Sequence, residues 1–343
     1  GVLFYDGQFD DSALATSLAM HSSKEGAAVL NYTRCVSLLK EDGRIRGGVV
    51  EDALTGKRYE IRCRAVINAA GVFGDAVRKM DNPDNPDMIV PSQGAHIVVD
   101  RKFMPGDNAM LIPRTDDGRL LFAIPWKGKL LAGTTDIEVD EIELEPRPLD
   151  EEISFILAHL GKVLKEAPSR KDILGVFAGL RPLLKSGKGT GTASLSRDHV
   201  VKIDDSGLVS VMGGKWTSYR KMAEDAVNKA VKAHGLPGRQ VATLDYRIAA
   251  PASMKPAGRG GESLHPSCQV TREQVVEAVR NEMALTVEDF LSRRVRLLLL
   301  DARAAVETAP AVAGIMAEEL GRDQAWVDDQ VREFTALAEG YLP

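Results

Sequence analysis

Cysteine is scarce in this 343-residue chain: Cys35, Cys63 and Cys268 are all there are, with no CxxC pair and no metal-ligand spacing. An odd, sparse set points to thiols in a reducing compartment. Aromatic residues make up only 5%. No apolar stretch approaches the ~20 residues needed to cross a bilayer, and the longest run, Leu297–Leu300, lies between Arg296 and Asp301. A basic face is missing too. The net charge of −5 and the pI near 5.8 argue against a nucleic-acid partner. The one basic cluster, Arg293-Arg294 with Arg296, reads as a solvated helix face. The chain has no initiator Met and no basic-then-apolar leader. It opens directly on Gly1-Val2-Leu3-Phe4, which reads as a truncation.

What is present is ordinary globular composition, 44% apolar and 27% charged, in a chain long enough for two or three domains. Asp10 or Asp11 can cap a helix with Leu14 and Leu18 on one face, ending near Gly26. Hairpin strands follow at Cys35–Leu39, Arg46–Glu51 and Arg58–Cys63, and then the apolar strand Ala65–Gly71. Residues 89–134 read as antiparallel strands with turns at Asp116-Asp117-Gly118 and Lys127-Gly128-Lys129. A helix after Asp150 carries the stripe Ile153, Ile156, Leu157, Leu160, Val163 and Leu164. Two β segments, 173–180 and 199–212, lead to Gly213-Gly214. The next helix turns Met222, Ala226, Val227 and Ala230 inward and stops at Gly235. The Pro-, Gly- and Ser-rich stretch 236–270 reads as a linker. Beyond it the chain reads as helical, opened by a capping box at Thr271 and Gln274, with Gly321 between two later helices.

Several segments carry chemistry. Asn68-Ala69-Ala70-Gly71 ends a strand in small residues, which let backbone approach a ligand; the same pattern also serves as a routine strand-to-helix turn. In Val209–Arg220 a strand meets two glycines and then a helix with Lys, Thr and Ser in its first turn. Helix amides and dipole there make an anion site. Arg181 ends a strand, Arg197 precedes another, and His96 lies in Ser92–Val99. Arginine suits phosphate because its planar fork donates bidentately. Taken singly, each arginine also fits a surface ion pair, and a lone histidine also fits a structural role.

Together these motifs resemble the FAD-dependent glycerol-3-phosphate dehydrogenases, among the D-amino-acid-oxidase-like flavoproteins. The resemblance spans nearly the whole chain. It is carried by Tyr5–Asp11, Ile67–Gly71, Ser92–Val99, Phe122–Trp126, Gly133–Asp136, Ala178–Pro182, Ser196–Asp198 and Gly213–Arg220, and in the tail by Thr286–Leu291 and Leu300–Arg303. It implies an α/β (α+β) flavoprotein body over 1–235, with a mixed or antiparallel substrate-domain sheet mainly in 88–182. A linker (236–270) and an all-α C-terminal domain (271–343) complete the expected organisation. It implies that Arg34, Cys35 and Val36 meet the adenine side of FAD and that Ala70 and Gly71 run along the dinucleotide. Gly214, Lys215, Trp216 and Thr217 would face the flavin, with Lys215 near the substrate phosphate. Arg181 and Arg197 would grip substrate, and His96 would approach its C2 hydroxyl, with His199 as the rival base. The implied reaction oxidises sn-glycerol 3-phosphate to dihydroxyacetone phosphate and passes electrons to a quinone. No metal is implied. A cytoplasmic protein, peripheral on the inner face of the cell membrane and capable of forming a homodimer, is expected.

The family begins with a βαβ unit bearing G-x-G-x-x-G, and this sequence has no such fingerprint after a strand. The expectation is that the chain as it stands binds FAD weakly or not at all. Two other readings stay open: a glycerophosphate oxidase that delivers electrons to oxygen, and a non-catalytic interaction module on a flavoprotein scaffold.

Overall fold

A computed structural model describes residues 2–116, 118–185, 198–254, 262–266 and 268–343. Asp10 accepts a hydrogen bond from the Ala13 amide and so caps α1 (Asp11–Lys24). A three-stranded antiparallel sheet follows: β1 (Thr33–Glu41), β2 (Arg44–Asp52) and β3 (Arg58–Arg62). Asp42 and Gly43 both take positive φ, 49° and 72°. That is the geometry a two-residue hairpin loop needs to match strand twist.

The second sheet bears the site. Its strand order is β10 (Ile173–Leu184), β5 (Ile89–Asp100), β8 (Lys129–Gly133), β7 (Leu121–Trp126) and β6 (Met110–Ile112), and β9 (Ile137–Glu138) pairs with β5 beyond the end of β8. All its pairings are antiparallel. Side chains of a strand alternate between faces. Ala95, Ile97 and Val99 therefore go down with Ala123, Leu130, Ala132 and Val176 onto Ile153, Ile156 and Leu160 of α3 (Asp150–Gly161).

A third sheet joins β11 (His199–Ile203) antiparallel to β12 (Val209–Gly213), and β12 parallel to the short β4 (Ile67–Asn68). Only those two residues of the expected strand Ala65–Gly71 pair, because Ala70 and Gly71 already turn into a 3-10 turn and α2 (Gly74–Asp81). α4 (Tyr219–Ala233) covers this sheet with Ala226 and Ala230. Val227, expected inside, is 51% exposed. Ile89, Leu184 and Met212 join the second and third sheets. Arg78 of α2, with no exposed surface, pairs with Asp75 and Asp204 and donates to the Pro86 carbonyl at 2.8 Å. Asp75 in turn accepts the Met88 and Ile89 amides at 2.8 Å, which fixes where β5 begins.

A hairpin of β13 (Ser263–His265) and β14 (Cys268–Thr271) occupies the end of the stretch read as linker. Its Val270 packs into the core of the helical region built from α5 (Arg272–Asn281), α6 (Leu297–Leu300), α7 (Ala302–Leu320) and α8 (Gln324–Glu339). Asp289–Arg294 turns as a π-helix. The basic cluster in it is not a solvated face. Arg294 is buried and donates to the Glu282 carbonyl at 3.1 Å, and Arg296 lies over the Trp126 ring. Arg294 and Arg296 donate to carbonyls at the end of α5 and within the irregular turn, those of Glu282, Asp289 and Ser292; Arg293 is exposed and paired with Glu288. Val163, placed on the α3 stripe, falls beyond the helix end and is 41% exposed.

Candidate functional site

The face of the second sheet opposite α3 brings two of the candidate residues, His96 and Arg181, together. Across the β5–β10 ladder Ser92 stands opposite Arg181, Gly94 opposite Gly179, and His96 opposite Phe177. These six share a face by the period of two. The two facing glycines leave a bay between the imidazole and the guanidinium. A Cβ on Gly94 would lie 2.6 Å from Arg181 Nη1 and from Thr134 Oγ1, and one on Gly133 would lie 2.8 Å from His96 Cγ. The guanidinium thus rests over Gly94 and the imidazole over Gly133, in space that only glycine leaves. Among the described residues Gly179 is exposed with nothing over it, and the bay is open there.

Arg181 is anchored by the segment that follows β8. Its Nη2 donates to Thr134 Oγ1 at 2.9 Å and to the Thr135 carbonyl at 3.3 Å, and Asp136 lies 3.9 Å from Nη1. Asp136 also accepts from Ser92 Oγ, and Arg119 donates to its carbonyl and faces its carboxylate. His96 stacks on Phe177 with centroids 5.2 Å apart. Burial, and then the neighbouring Arg181 guanidinium, lower its pKa to about 4. The imidazole is therefore neutral at physiological pH and able to take a proton.

The second locus lies at the carboxyl edge of the third sheet. β12 and β4 run parallel with Val209 opposite Ile67, and four residues further each strand reaches a glycine with positive φ, Gly213 at 72° and Gly71 at 57°. The two turns end neighbouring parallel strands at the same edge, the crevice where α/β folds take dinucleotides. Gly214, φ 84°, leads to the 3-10 turn Trp216–Ser218 and α4, with Lys215, Trp216 and Thr217 exposed. The dipole of that helix start favours an anion; within the turn the Lys215 amide donates to Ser218 Oγ and the Ser218 amide to the Lys215 carbonyl. Gly213 packs against Leu184, three residues, or ~10 Å of extended strand, from Arg181. Backbone glycine turns, an exposed aromatic ring and an open helix start are a donor set that fits the FAD implied by the sequence.

His199 Nε2 is 2.9 Å from Asp225, which also pairs with Lys221. It braces β11 against α4 and is not part of the bay. The Arg34–Val36 segment lies in the first sheet, where Arg34 is exposed beside Glu51, while Cys35 and Val36 are half-buried. That sheet meets the rest through Lys40 on Asp81 (2.7 Å) and the Ile45 amide on the Ser206 carbonyl (2.9 Å). Arg197 lies outside the described residues. The sequence reading gave no role to Arg119, Glu152 or the Thr134–Asp136 segment, nor to Gly94 and Gly133. The available signal was Gly133-Thr134-Thr135-Asp136 directly after an apolar strand, two hydroxyls and a carboxylate where a ladder stops.

Comparisons with known proteins bear on this geometry. The family model described as FAD dependent oxidoreductase matches residues 1–220, and that of the C-terminal domain of alpha-glycerophosphate oxidase matches residues 193–327. The chain is 34% identical to the mitochondrial glycerol-3-phosphate dehydrogenase of Bos taurus over 99% of its own length and 54% of that protein. It is also 34% identical to the mitochondrial glycerol-3-phosphate dehydrogenase SDP6 of Arabidopsis thaliana, covering 62% of it. The chain thus spans about half the length of the curated relatives it matches. The solved structure of glycerol-3-phosphate dehydrogenase from Bacillus halodurans, complexed with FAD, superposes with a TM-score of 0.82 at 26% identity, over 98% of this chain and 74% of that one.

Proposed function

The chain belongs to the FAD-dependent oxidoreductase family, and from that premise we propose that it works in the oxidation of sn-glycerol 3-phosphate to dihydroxyacetone phosphate. One observation carries the reading: a neutral imidazole and an anchored guanidinium share a single open bay. Arg181 offers the substrate phosphate a charged, forked donor. His96 takes the C2 hydroxyl proton, which must leave as the carbon gives up hydride, and its depressed pKa keeps it available for that. Gly71, Gly214, Lys215, Trp216 and Thr217 would hold FAD, with Lys215 reaching toward the phosphate as well. When bound, FAD supplies the hydride acceptor. We assign a quinone at a membrane surface as the electron acceptor; the relatives are named dehydrogenases rather than oxidases. Among the described residues no helix is long and apolar enough to cross a membrane.

The test uses the FAD-loaded protein. Glycerol 3-phosphate should bleach the flavin absorbance, and a quinone analogue should restore it faster than oxygen does. Arg181→Ala should lower kcat/KM for glycerol 3-phosphate roughly 10- to 150-fold, the worth of a charged hydrogen bond, and leave turnover of glycerol nearly unchanged. A flavin that stays oxidised under substrate sinks the proposal, and faster recovery with oxygen turns it toward an oxidase.

A further inference from the structure

We propose that Glu152, buried on the far side of the sheet from the bay, is a positioning residue for substrate phosphate, acting on Arg181 through Thr135. The inference rests on the reading of Arg181 as the phosphate ligand.

It follows from where the ladder breaks. β8 ends with Gly133 opposite His96, and β9 resumes pairing with Ile137 opposite Gln93. Thr134, Thr135 and Asp136 leave the sheet between them. That departure takes a ladder partner from the Ala95 amide, and Thr135 Oγ1 replaces it at 2.8 Å. A buried amide without a partner is costly, so the hydroxyl is committed as an acceptor. Its own proton must then go elsewhere, and it goes to Glu152.

Glu152 is 1% exposed. Besides Thr135 it receives Gln93 Nε2 at 2.8 Å and the Leu149 amide at 2.9 Å. Three donors converge, and only an acceptor-only group satisfies all of them. The isosteric amide would turn an N–H toward a donor. With its hydroxyl fixed on the core side, Thr135 presents its carbonyl to Arg181 on the other, and Thr134 Oγ1 is held beside it. Gln93 and Ala95, next to Glu152, alternate along β5 with Gly94 and His96 in the bay. Glu152 therefore cannot touch a ligand there. Any effect it has on substrate travels through the Thr134–Thr135 cradle.

The experiment measures, on the FAD-loaded protein, the dissociation constant of glycerol 3-phosphate by calorimetry, together with KM and kcat. The variants are Glu152→Gln, Thr135→Val, Thr135→Ser, Arg181→Ala and the double variant Glu152→Gln/Arg181→Ala. Glu152→Gln should weaken glycerol 3-phosphate binding roughly tenfold, the scale of one misplaced hydrogen bond. KM should rise in step, kcat should hold, and glycerol kinetics should not change. Thr135→Val should reproduce this and Thr135→Ser should restore wild-type affinity; that pair decides the matter if Glu152→Gln fails to fold. The double variant should bind no more weakly than Arg181→Ala alone. Losses that multiply in the double variant, or that fall equally on glycerol, would make Glu152 a residue of the fold only and overturn the inference. If Arg181→Ala by itself leaves affinity intact, the phosphate reading of Arg181 has failed and the inference falls with it.

Discussion

The two faces of β5 are made of alternate residues of one strand and serve opposite ends. Ala95, Ile97 and Val99 are fully buried against α3. Ser92, Gly94 and His96 look the other way, into a bay where two residues have no side chain at all and a third holds a group whose ionisation the surroundings oppose. The buried face stabilises the sheet by removing apolar area from water. The open face gives up that gain to hold reactive groups at fixed spacing, and the rigidity it needs comes from the face beneath. Strand alternation lets both happen one residue apart.

That separation can be broken from either side. The largest effect should come from His96→Asn in the FAD-loaded protein, which should cut kcat by roughly 10²–10⁴, the range for a lost general base. Its thermal midpoint and flavin content should stay near wild type. A variant that keeps its turnover would remove His96 from the reaction. Ile97→Ala, one residue along, should do the reverse. A fully buried isoleucine truncated to alanine costs about 2–5 kcal/mol of stability, read by chemical denaturation, while kcat well below the unfolding transition persists. If Ile97→Ala cuts kcat as deeply as stability, the two faces are not separable.

The smallest effect tests the boundary between them. In the fold His96 has a pKa of about 4, below its ordinary value of 6.5. Between those pH values the unfolded chain binds a proton that the folded chain refuses. Stability is therefore full above about pH 6.5 and falls as pH drops toward about 4, by an amount of order 3 kcal/mol from this residue. His96→Asn should lose that share of the pH dependence, so the wild-type and variant stability curves, close together at neutral pH, should separate toward acid with the variant above. Parallel curves would mean that the imidazole titrates as if in water. The acidic limb of the wild-type rate profile should accordingly lie near pH 4.

Local signals in the sequence were legible where a short-range rule decides the outcome. Asp10 caps α1, Thr271 and Gln274 box α5, Asp42-Gly43 turns a hairpin, and Gly235 and Gly321 close helices with positive φ. Each depends on neighbours within four residues. His96 and Arg181 stood out by residue type and strand position, but their meeting depended on a register between segments 85 residues apart in sequence. Arg294 and Arg296 misled for a related reason. Charge predicts exposure unless a carbonyl waits inside, and the carbonyl of Glu282 waits because α5 ends there.

The sequence by itself determined the alternation of β5, the glycine turns after β4 and β12, and the resemblance that names a chemistry. Periodicity and φ preference are written residue by residue, so they survive without a third dimension. Tertiary structure alone shows what glycine at 94 and 133 makes room for, the guanidinium and the imidazole lying over them. It likewise decided that a carboxylate at Glu152 belongs in the interior. Three donors from β5, the 134–136 excursion and the start of α3 meet there, and no single stretch of sequence contains them all.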